Sequence, residues 1–140
     1  MPPFVLDASV AISWCFPGDP TEDTPYSRRV LGLLSASDAV VPEIWAFEVA
    51  NSIFVSYSRR RRITDDQIRE YLVLLKALPI HVQGETLWVN VDLEVVSHRR
   101  NISAYDAAYL ELSRRGSLPL ATADDVLKRA GIGEGIALVG

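Results

Sequence analysis

Cysteine, histidine and lysine are scarce in this chain of 140 residues. The single cysteine, Cys15, excludes an internal disulfide and favours a reducing compartment, so we expect a cytoplasmic protein. The two histidines, His81 and His98, lie outside any spacing typical of metal ligands, which argues against a zinc-type site. A metal held by oxygen ligands would need neither residue type.

Long apolar runs are also missing. No stretch approaches the roughly 20 apolar residues of a membrane-spanning helix. No basic residue precedes Phe4 and the first apolar segment ends at Asp7, so we expect neither a secretory signal nor a membrane anchor. The length and the 49% hydrophobic and 23% charged residues are typical of one globular domain, which we expect to span residues 1–140.

The chain has no excess of positive charge. Its formal net charge of −4 argues against a uniformly basic surface. Twelve of the fourteen basic residues are nevertheless arginine, and most stand in four clusters: Arg28–Arg29, Arg59–Arg62, Arg99–Arg100 and Arg114–Arg115. Such clusters either bind phosphate or stabilise the negative ends of helix dipoles, and the sequence leaves both interpretations open.

What the chain does have, at its start, is a short apolar run followed by a carboxylate and a hydroxyl. Phe4-Val5-Leu6 is typical of a buried strand, and Ser9 is typical of a residue that caps the helix after it. Asp7 would then lie at the carboxyl end of the first strand, the edge of an open α/β sheet where ligands bind. Other acids at comparable positions would converge on Asp7.

Short apolar runs alternate with helical patterns along the rest of the chain. Strands are predicted at residues 4–6, 39–41, 80–82, 118–122 and 135–139. Helices are predicted at residues 10–16, 25–37, 42–62, 65–78, 85–100, from 104 onward and 126–130. Strands separated by helices form parallel sheets covered on both faces by right-handed crossovers. The sequence therefore predicts an α/β fold with a four- or five-stranded, mostly parallel sheet.

Three further acids lie near the predicted strand-to-helix junctions. Glu48 interrupts an apolar helix face, where a carboxylate must reach water, be protonated or paired, or bind a metal. Asp106 follows Ser103 at capping-box spacing, so it either begins a helix, faces the same cleft as Asp7, or does both. Each acid therefore has a structural interpretation beside its functional one.

The third acid is one of an adjacent pair. Thr122 and Asp125 have capping-box spacing, which assigns Asp125 to the backbone and leaves Asp124 for the cleft. Four carboxylates gathered together would repel one another at neutral pH unless a cation neutralised them. One or two Mg²⁺ or Mn²⁺ ions are the natural cofactors of such an all-oxygen site: Asp7, Glu48, Asp106 and Asp124.

Four motifs follow one another over nearly the whole chain: Phe4-Val5-Leu6-Asp7-Ala8-Ser9, Pro42-Glu43 leading to Glu48-Val49-Ala50-Asn51, Tyr105-Asp106-Ala107-Ala108-Tyr109 and Leu120-Ala121-Thr122-Ala123-Asp124. This ordered set resembles the PIN-domain ribonucleases, and most closely the VapC-type toxins of prokaryotic toxin–antitoxin pairs. The resemblance implies a three-layer α/β/α sandwich with metal-dependent endoribonuclease activity. It also implies inhibition by a cognate antitoxin and assembly as a homodimer.

The resemblance also assigns roles to residues. It matches the four acids to the family's metal-binding and catalytic quartet, Ser9 and Thr122 to supporting hydroxyls, and Asn51 to the polar residue after the helix acid. The chain departs from the family at Asp125, where relatives often have a basic or variable residue. The departure leaves open which aspartate of the pair faces the metal, and the spacing from Thr122 favours Asp124.

The leading hypothesis is hydrolysis of RNA, with one or two metal ions polarising a water molecule for in-line attack and arginines holding the RNA backbone. The alternatives are a structure-specific DNA nuclease and a non-catalytic partner-binding domain whose acids only cap helices. Four aromatic residues either bind an antitoxin or a second copy of the chain, or pack in the core: Trp14, Phe16, Trp45 and Phe47. An antitoxin arginine placed in the acidic cleft would be a suitable inhibitor.

Overall fold

The computed structural model describes residues 2–84 and 95–140. Within them, the short apolar runs form a four-stranded sheet in which every pairing is parallel. The strand order is β3-β2-β1-β4. The strands are β1 (Phe4–Leu6), β2 (Ala39–Pro42), β3 (Ile80–Gln83) and β4 (Leu120–Ala121).

Helices connect the strands and cover the sheet, which confirms the α/β/α architecture. They are α1 (Ala8–Ser13), α2 (Pro25–Leu33), α3 (Ile44–Phe54), α4 (Asp65–Ala77), α5 (residues 95–100), α6 (Ala104–Gly116) and α7 (Asp125–Gly133). A π-helical turn, Val55–Arg59, extends α3. Of the helix predicted over residues 85–100, the part before residue 95 lies outside the described residues.

Capping sequences place the starts of two helices where the sequence predicts them. The hydroxyl of Thr24 accepts a hydrogen bond from Ser27 N at 3.1 Å, and that of Thr64 accepts one from Gln67 N at 3.2 Å. In both cases the third helical residue bonds back to the capping residue's backbone, which completes a capping box. These two local predictions are confirmed.

Three predicted element boundaries are wrong. The first helix begins at Ala8, so Ser9 lies inside it and Asp7 takes the capping position without a capping side-chain bond. Pro42 ends β2 in parallel pairing with Gln83 and does not open α3. The predicted fifth strand is reduced to an isolated bridge between Leu120 and Leu138.

The core lies on both faces of the central strand β1. Every residue of this strand is fully buried. α6 packs on β1 and β2, whereas α1 packs on α2 and α3. Trp14, Phe16 and Trp45 are at most 8% exposed and belong to this core, while Phe47 is 73% exposed. Of the four aromatic residues proposed for a partner surface, Phe47 alone is therefore available to a partner. No helix within the described residues is long and apolar enough to cross a bilayer.

Candidate active site

Parallel strands bring three of the predicted acids to one edge of the sheet. Asp7 directly follows β1, Glu48 lies in the second turn of α3 after β2, and Asp124 follows β4. Since β1 pairs in parallel with β2 and β4, the carboxyl ends of these strands meet at the same edge. The predicted convergence thus follows from the topology.

Asp106 reaches this edge by a different route. It lies in the first turn of α6, which follows α5 through residues 101–103, so it is not placed by a strand end as the sequence interpretation assumed. The hydroxyl of Ser103 caps α6 by accepting a hydrogen bond from Asp106 N at 3.0 Å. The charges of Asp7 and Asp124 nevertheless raise the pKa of Asp106, although burial is the larger cause.

Asp7 is the most deeply buried of the four acids, at 5% exposure. Its Oδ2 atom accepts hydrogen bonds from Ser9 Oγ at 2.6 Å and from Thr122 Oγ1 at 2.7 Å. Each hydroxyl is fixed in turn by a backbone amide: Ala123 N donates to Ser9 Oγ at 3.1 Å, and Asp124 N donates to Thr122 Oγ1 at 3.0 Å. This network joins the end of β1 to the end of β4 and sets the orientation of the Asp7 carboxylate.

Opposing effects act on the charge of Asp7. Burial raises the pKa of its carboxyl, and the hydroxyls of Ser9 and Thr122 lower it by donating to the charged form. The nearby charge of Asp124 raises it again. Because the net direction is upward, the folded protein holds this carboxylate at a cost in free energy that a nearby cation would offset.

Glu48 is held by a residue that the sequence interpretation did not select. Tyr109, which is fully buried in α6, donates its hydroxyl to Glu48 Oε1 at 2.5 Å. Burial raises the pKa of Glu48, this hydrogen bond lowers it, and the charges of Asp7 and Asp106 raise it. A buried tyrosine needs a hydrogen-bond partner for its hydroxyl. The sequence feature that could have pointed to Tyr109 is its position on the same helix as Asp106, three residues later.

The structure gives the capping role at the start of α7 to Asp124 and not to Asp125. Asp124 is the N-cap, and its Oδ1 atom accepts hydrogen bonds from Val126 N at 2.8 Å and Leu127 N at 3.3 Å. Asp125 points outward with 81% of its side chain exposed, and it lies 3.8 Å from Lys128 Nζ. The capping box of Thr122 with Asp125 is therefore wrong. Asp124 still acts on the site, because its charge raises the pKa of Asp7 and of Asp106.

The four acids share one electrostatic environment without forming a closed metal cage. Among residues 2–84 and 95–140, no three His, Cys, Asp or Glu side chains are already gathered as ligands of one ion. No ion pair between described residues neutralises any of the four acids. An uncompensated set of hard oxygen donors fits Mg²⁺ or Mn²⁺, since Mg²⁺ keeps several waters and needs only one or two carboxylates.

Half of the ten clustered arginines form ion pairs with other described residues. Ion pairs join several of them to acids outside the quartet: Arg28 to Asp23, Arg62 to Asp19, Arg99 and Arg100 to Glu134, and Arg114 to Glu111. Arg59, Arg60 and Arg61 are exposed and form no ion pair with the described residues. Asn51, one turn beyond Glu48 on α3, is also exposed.

The chain matches a known protein family and shares its fold with solved structures. The family model described as PIN domain matches residues 4–133. No curated protein matches the sequence of this chain. Similar solved structures include VapBC2 from Rickettsia felis bound to a DNA fragment from their promoter, with a TM-score of 0.66 and 13% identity over 99% of this chain and 98% of that chain.

Two further structures share the fold at comparable identity. VapC20 from Mycobacterium tuberculosis, a Sarcin-Ricin loop cleaving toxin, gives a TM-score of 0.65 with 16% identity over 91% of this chain and 95% of that chain. FitAcB from Neisseria gonorrhoeae gives a TM-score of 0.55 with 16% identity over 100% of this chain and 97% of that chain. Identities this low establish a common fold, so the chemistry of the site has to be argued from the residues.

Proposed function

Because this chain belongs to the PIN-domain family, whose members are generally nucleases, we propose that it hydrolyses RNA phosphodiester bonds as the toxin of a toxin–antitoxin pair. The observation that carries the proposal is the convergence of Asp7, Glu48, Asp106 and Asp124 on one sheet edge, where the charges of these acids perturb one another. Scattered helix-capping acids would not be coupled in this way.

The four acids are the residues that would hold one or two divalent ions, on which the family typically depends. When bound, such an ion supplies positive charge that lowers the pKa of water and stabilises the charge developing on a phosphate. The protein's contribution is orientation. The hydroxyls of Ser9 and Thr122 fix the carboxylate of Asp7. The hydroxyl of Tyr109 donates to Oε1 of Glu48, and this bond also sets the direction of Oε2 in the same carboxylate.

The activity test uses purified protein with labelled RNA in Mg²⁺ or Mn²⁺. We expect cleavage that EDTA abolishes and that Asp7→Asn reduces by on the order of a hundredfold or more. The control is Asp125→Asn, which also removes one negative charge, but from an exposed side chain next to Asp124. This variant should cleave RNA like the native chain. Equal cleavage by the native chain and Asp7→Asn would refute the assignment of the site.

We propose RNA and not DNA as the substrate because one structure with this fold, VapC20, is a Sarcin-Ricin loop cleaving toxin. Single-stranded RNA and DNA of matched sequence, labelled with different dyes and mixed in one reaction, test this choice directly. Preferential cleavage of RNA is expected. Preferential cleavage of the DNA strand would replace this proposal by a DNA nuclease acting through the same four acids.

An antitoxin partner, a homodimer and a cytoplasmic location complete the proposal. VapBC2 is a complex with the same fold in its toxin chain, and an antitoxin arginine in the cleft would neutralise the uncompensated acids without a metal. The dimer is tested by light scattering on the purified chain, for which we expect about twice the monomer mass of 15.5 kDa. A monomeric mass at all concentrations would refute the dimer and leave the catalytic proposal intact.

A further inference from the structure

A groove leads away from the acidic edge between α1 and the extended α3. It has a volume of about 320 Å³, and its lining includes Ile12, Glu22, Asn51, Ser52, Arg60 and Arg62. Ile12 lies one turn after Ser9 on α1, and Asn51 lies one turn after Glu48 on α3. Residues three apart share a helix face, so the groove begins where the acidic site ends.

The groove has a mixed apolar and polar lining, and its polar groups differ between its two ends. Next to the site it presents the exposed amide of Asn51 and the hydroxyl of Ser52, and at its far end it presents two arginines. From Glu48 to Arg60 the chain advances twelve positions, which corresponds to roughly 15 to 18 Å along a helix axis. A single strand of several nucleotides spans such a distance.

The run of four arginines changes direction just after the π-helical turn Val55–Arg59. Arg60 N donates to Val55 O at 3.1 Å and Arg62 N donates to Ser56 O at 2.8 Å, and the residue between them, Arg61, has φ of +51°. The chain therefore reverses at Arg61. Arg62 turns back toward the body of the protein while Arg60 stays at the surface.

Arg62 is fully engaged by the fold. Its guanidinium pairs with Asp19 at 3.0 Å and lies 3.6 Å from Glu22, and it stacks over the ring of Phe16 at 4.4 Å from the centroid. Glu22, the acid in the lining, is thereby compensated. Of the two arginines in the groove, Arg60 is the one without an ion pair among the described residues, and its charge is available to a ligand.

From this arrangement we infer that the groove carries the RNA strand away from the acidic site and that Arg60 binds a backbone phosphate several nucleotides from the cleaved bond. The inference rests on the proposed ribonuclease function. Arg60 supplies a bidentate, permanently charged phosphate ligand, and Asn51 and Ser52 supply neutral donors along the strand between it and the acids. Arg60 is thus a substrate-binding residue that does not touch the reacting atoms.

The test measures binding of a short fluorescein-labelled single-stranded RNA by fluorescence anisotropy over a range of KCl concentrations. All proteins carry Asp7→Asn so that the RNA stays intact. Arg60→Gln should weaken binding several-fold, equally for RNAs of different sequence, and should reduce the slope of log K against log[salt] by about 0.7, the value for one phosphate contact on a single strand. Arg60→Lys keeps the charge and should keep the slope.

The matched control is Arg115→Gln. Arg115 is exposed, lies in the last turn of α6 and forms no ion pair with the described residues, but it is nine positions beyond Asp106 and outside the groove. Its replacement should change neither affinity nor slope. If Arg60→Gln behaves like Arg115→Gln while the native chain cleaves RNA, the groove inference is overturned and the nuclease proposal stands. If the RNA is neither bound nor cleaved, both are overturned.

Discussion

Replacing Asp7 by asparagine separates what this carboxylate does for catalysis from what it costs the fold. Burial raises the pKa of Asp7 in spite of the hydrogen bonds from Ser9 and Thr122. A carboxyl group whose pKa is higher in the folded than in the unfolded state favours folding at low pH, and that contribution is lost as the pH rises through the folded-state pKa. The metal-free native chain should therefore lose stability relative to Asp7→Asn between acid and neutral pH.

The size of the effect follows from the proton affinity of the folded state. Each tenfold increase in that affinity corresponds to about 1.4 kcal/mol, and each kcal/mol gained by Asp7→Asn raises Tm by about 3 to 4 °C for a chain of this size. Asparagine also weakens the two hydroxyl hydrogen bonds, by roughly 1 kcal/mol each, because its acceptor is neutral. These bonds are made to the charged carboxylate, so their loss is part of the pH-dependent difference and opposes the gain. The slope against pH therefore measures the balance of burial, repulsion and hydrogen bonding at Asp7, and the upward direction of its pKa gives the expected sign.

The assay is urea unfolding in EDTA between about pH 4.5 and pH 8, followed by the fluorescence of the buried Trp14 and Trp45. It gives the difference in unfolding free energy between Asp7→Asn and the native chain at each pH. Asp125→Asn is the control: Asp125 is 81% exposed in its side chain, so its stability difference from the native chain should stay flat. A flat difference for Asp7→Asn, or one that falls toward neutral pH, would refute the argument that burial and repulsion oppose the charge of Asp7.

Adding metal at neutral pH should reverse the order of stability. A divalent ion at a concentration of 100 Kd stabilises the native chain by about 2.7 kcal/mol, which raises Tm by roughly 8 to 10 °C. Asp7→Asn should gain much less, because it lacks the most buried of the four carboxylates. An equal rise of Tm in both proteins would place the ion elsewhere, and no rise in either would favour the non-catalytic alternative.

Three further substitutions test individual contacts. Tyr109→Phe removes a hydrogen bond that lowers the pKa of Glu48, so the acid limb of the profile of kcat/KM against pH should move to higher pH. Asp124→Ala removes the N-cap of α7 and should lower the free energy of unfolding, measured in urea, by about 1 kcal/mol. Asp124→Asn retains the cap and should keep that stability. RNA cleavage should fall in both variants. Arg62→Gln loses the contact with Phe16, worth roughly 0.5 to 1 kcal/mol, and should lower Tm in a thermal melt, while Arg60→Gln leaves Tm unchanged.

Features set by neighbouring residues could be predicted from the sequence. The helix starts at Pro25 and Asp65 depend on capping contacts across three residues, and both helices begin where predicted. The central strand is also predicted correctly, because three consecutive apolar residues can be buried on both faces only inside a parallel sheet. The convergence of Asp7, Glu48 and Asp124 follows from the same reasoning, since parallel pairing puts strand ends on one edge.

Features set by distant contacts could not be predicted. Ser9 was expected to cap a helix, but its hydroxyl is taken by Asp7 and by the amide of Ala123, which is 114 residues away in sequence. The partner of Glu48 is 61 residues away, so no local pattern links it to Tyr109. Gly135–Val139 has the composition of a strand, but only a single bridge forms beside β4.

The adjacent aspartates show why a capping role and a site role are compatible. Two backbone amides hold Oδ1 of Asp124, and they position the whole carboxylate because it is planar and rigid. No described residue donates to Oδ2 of Asp124, so this second oxygen is the one that we propose as a metal ligand. Asp106 follows the same principle from the other side, since a capped helix start fixes its backbone and thereby its side chain. In this fold two helix starts therefore supply rigid supports for Asp106 and Asp124, whose charges act on the pKa of the neighbouring acids.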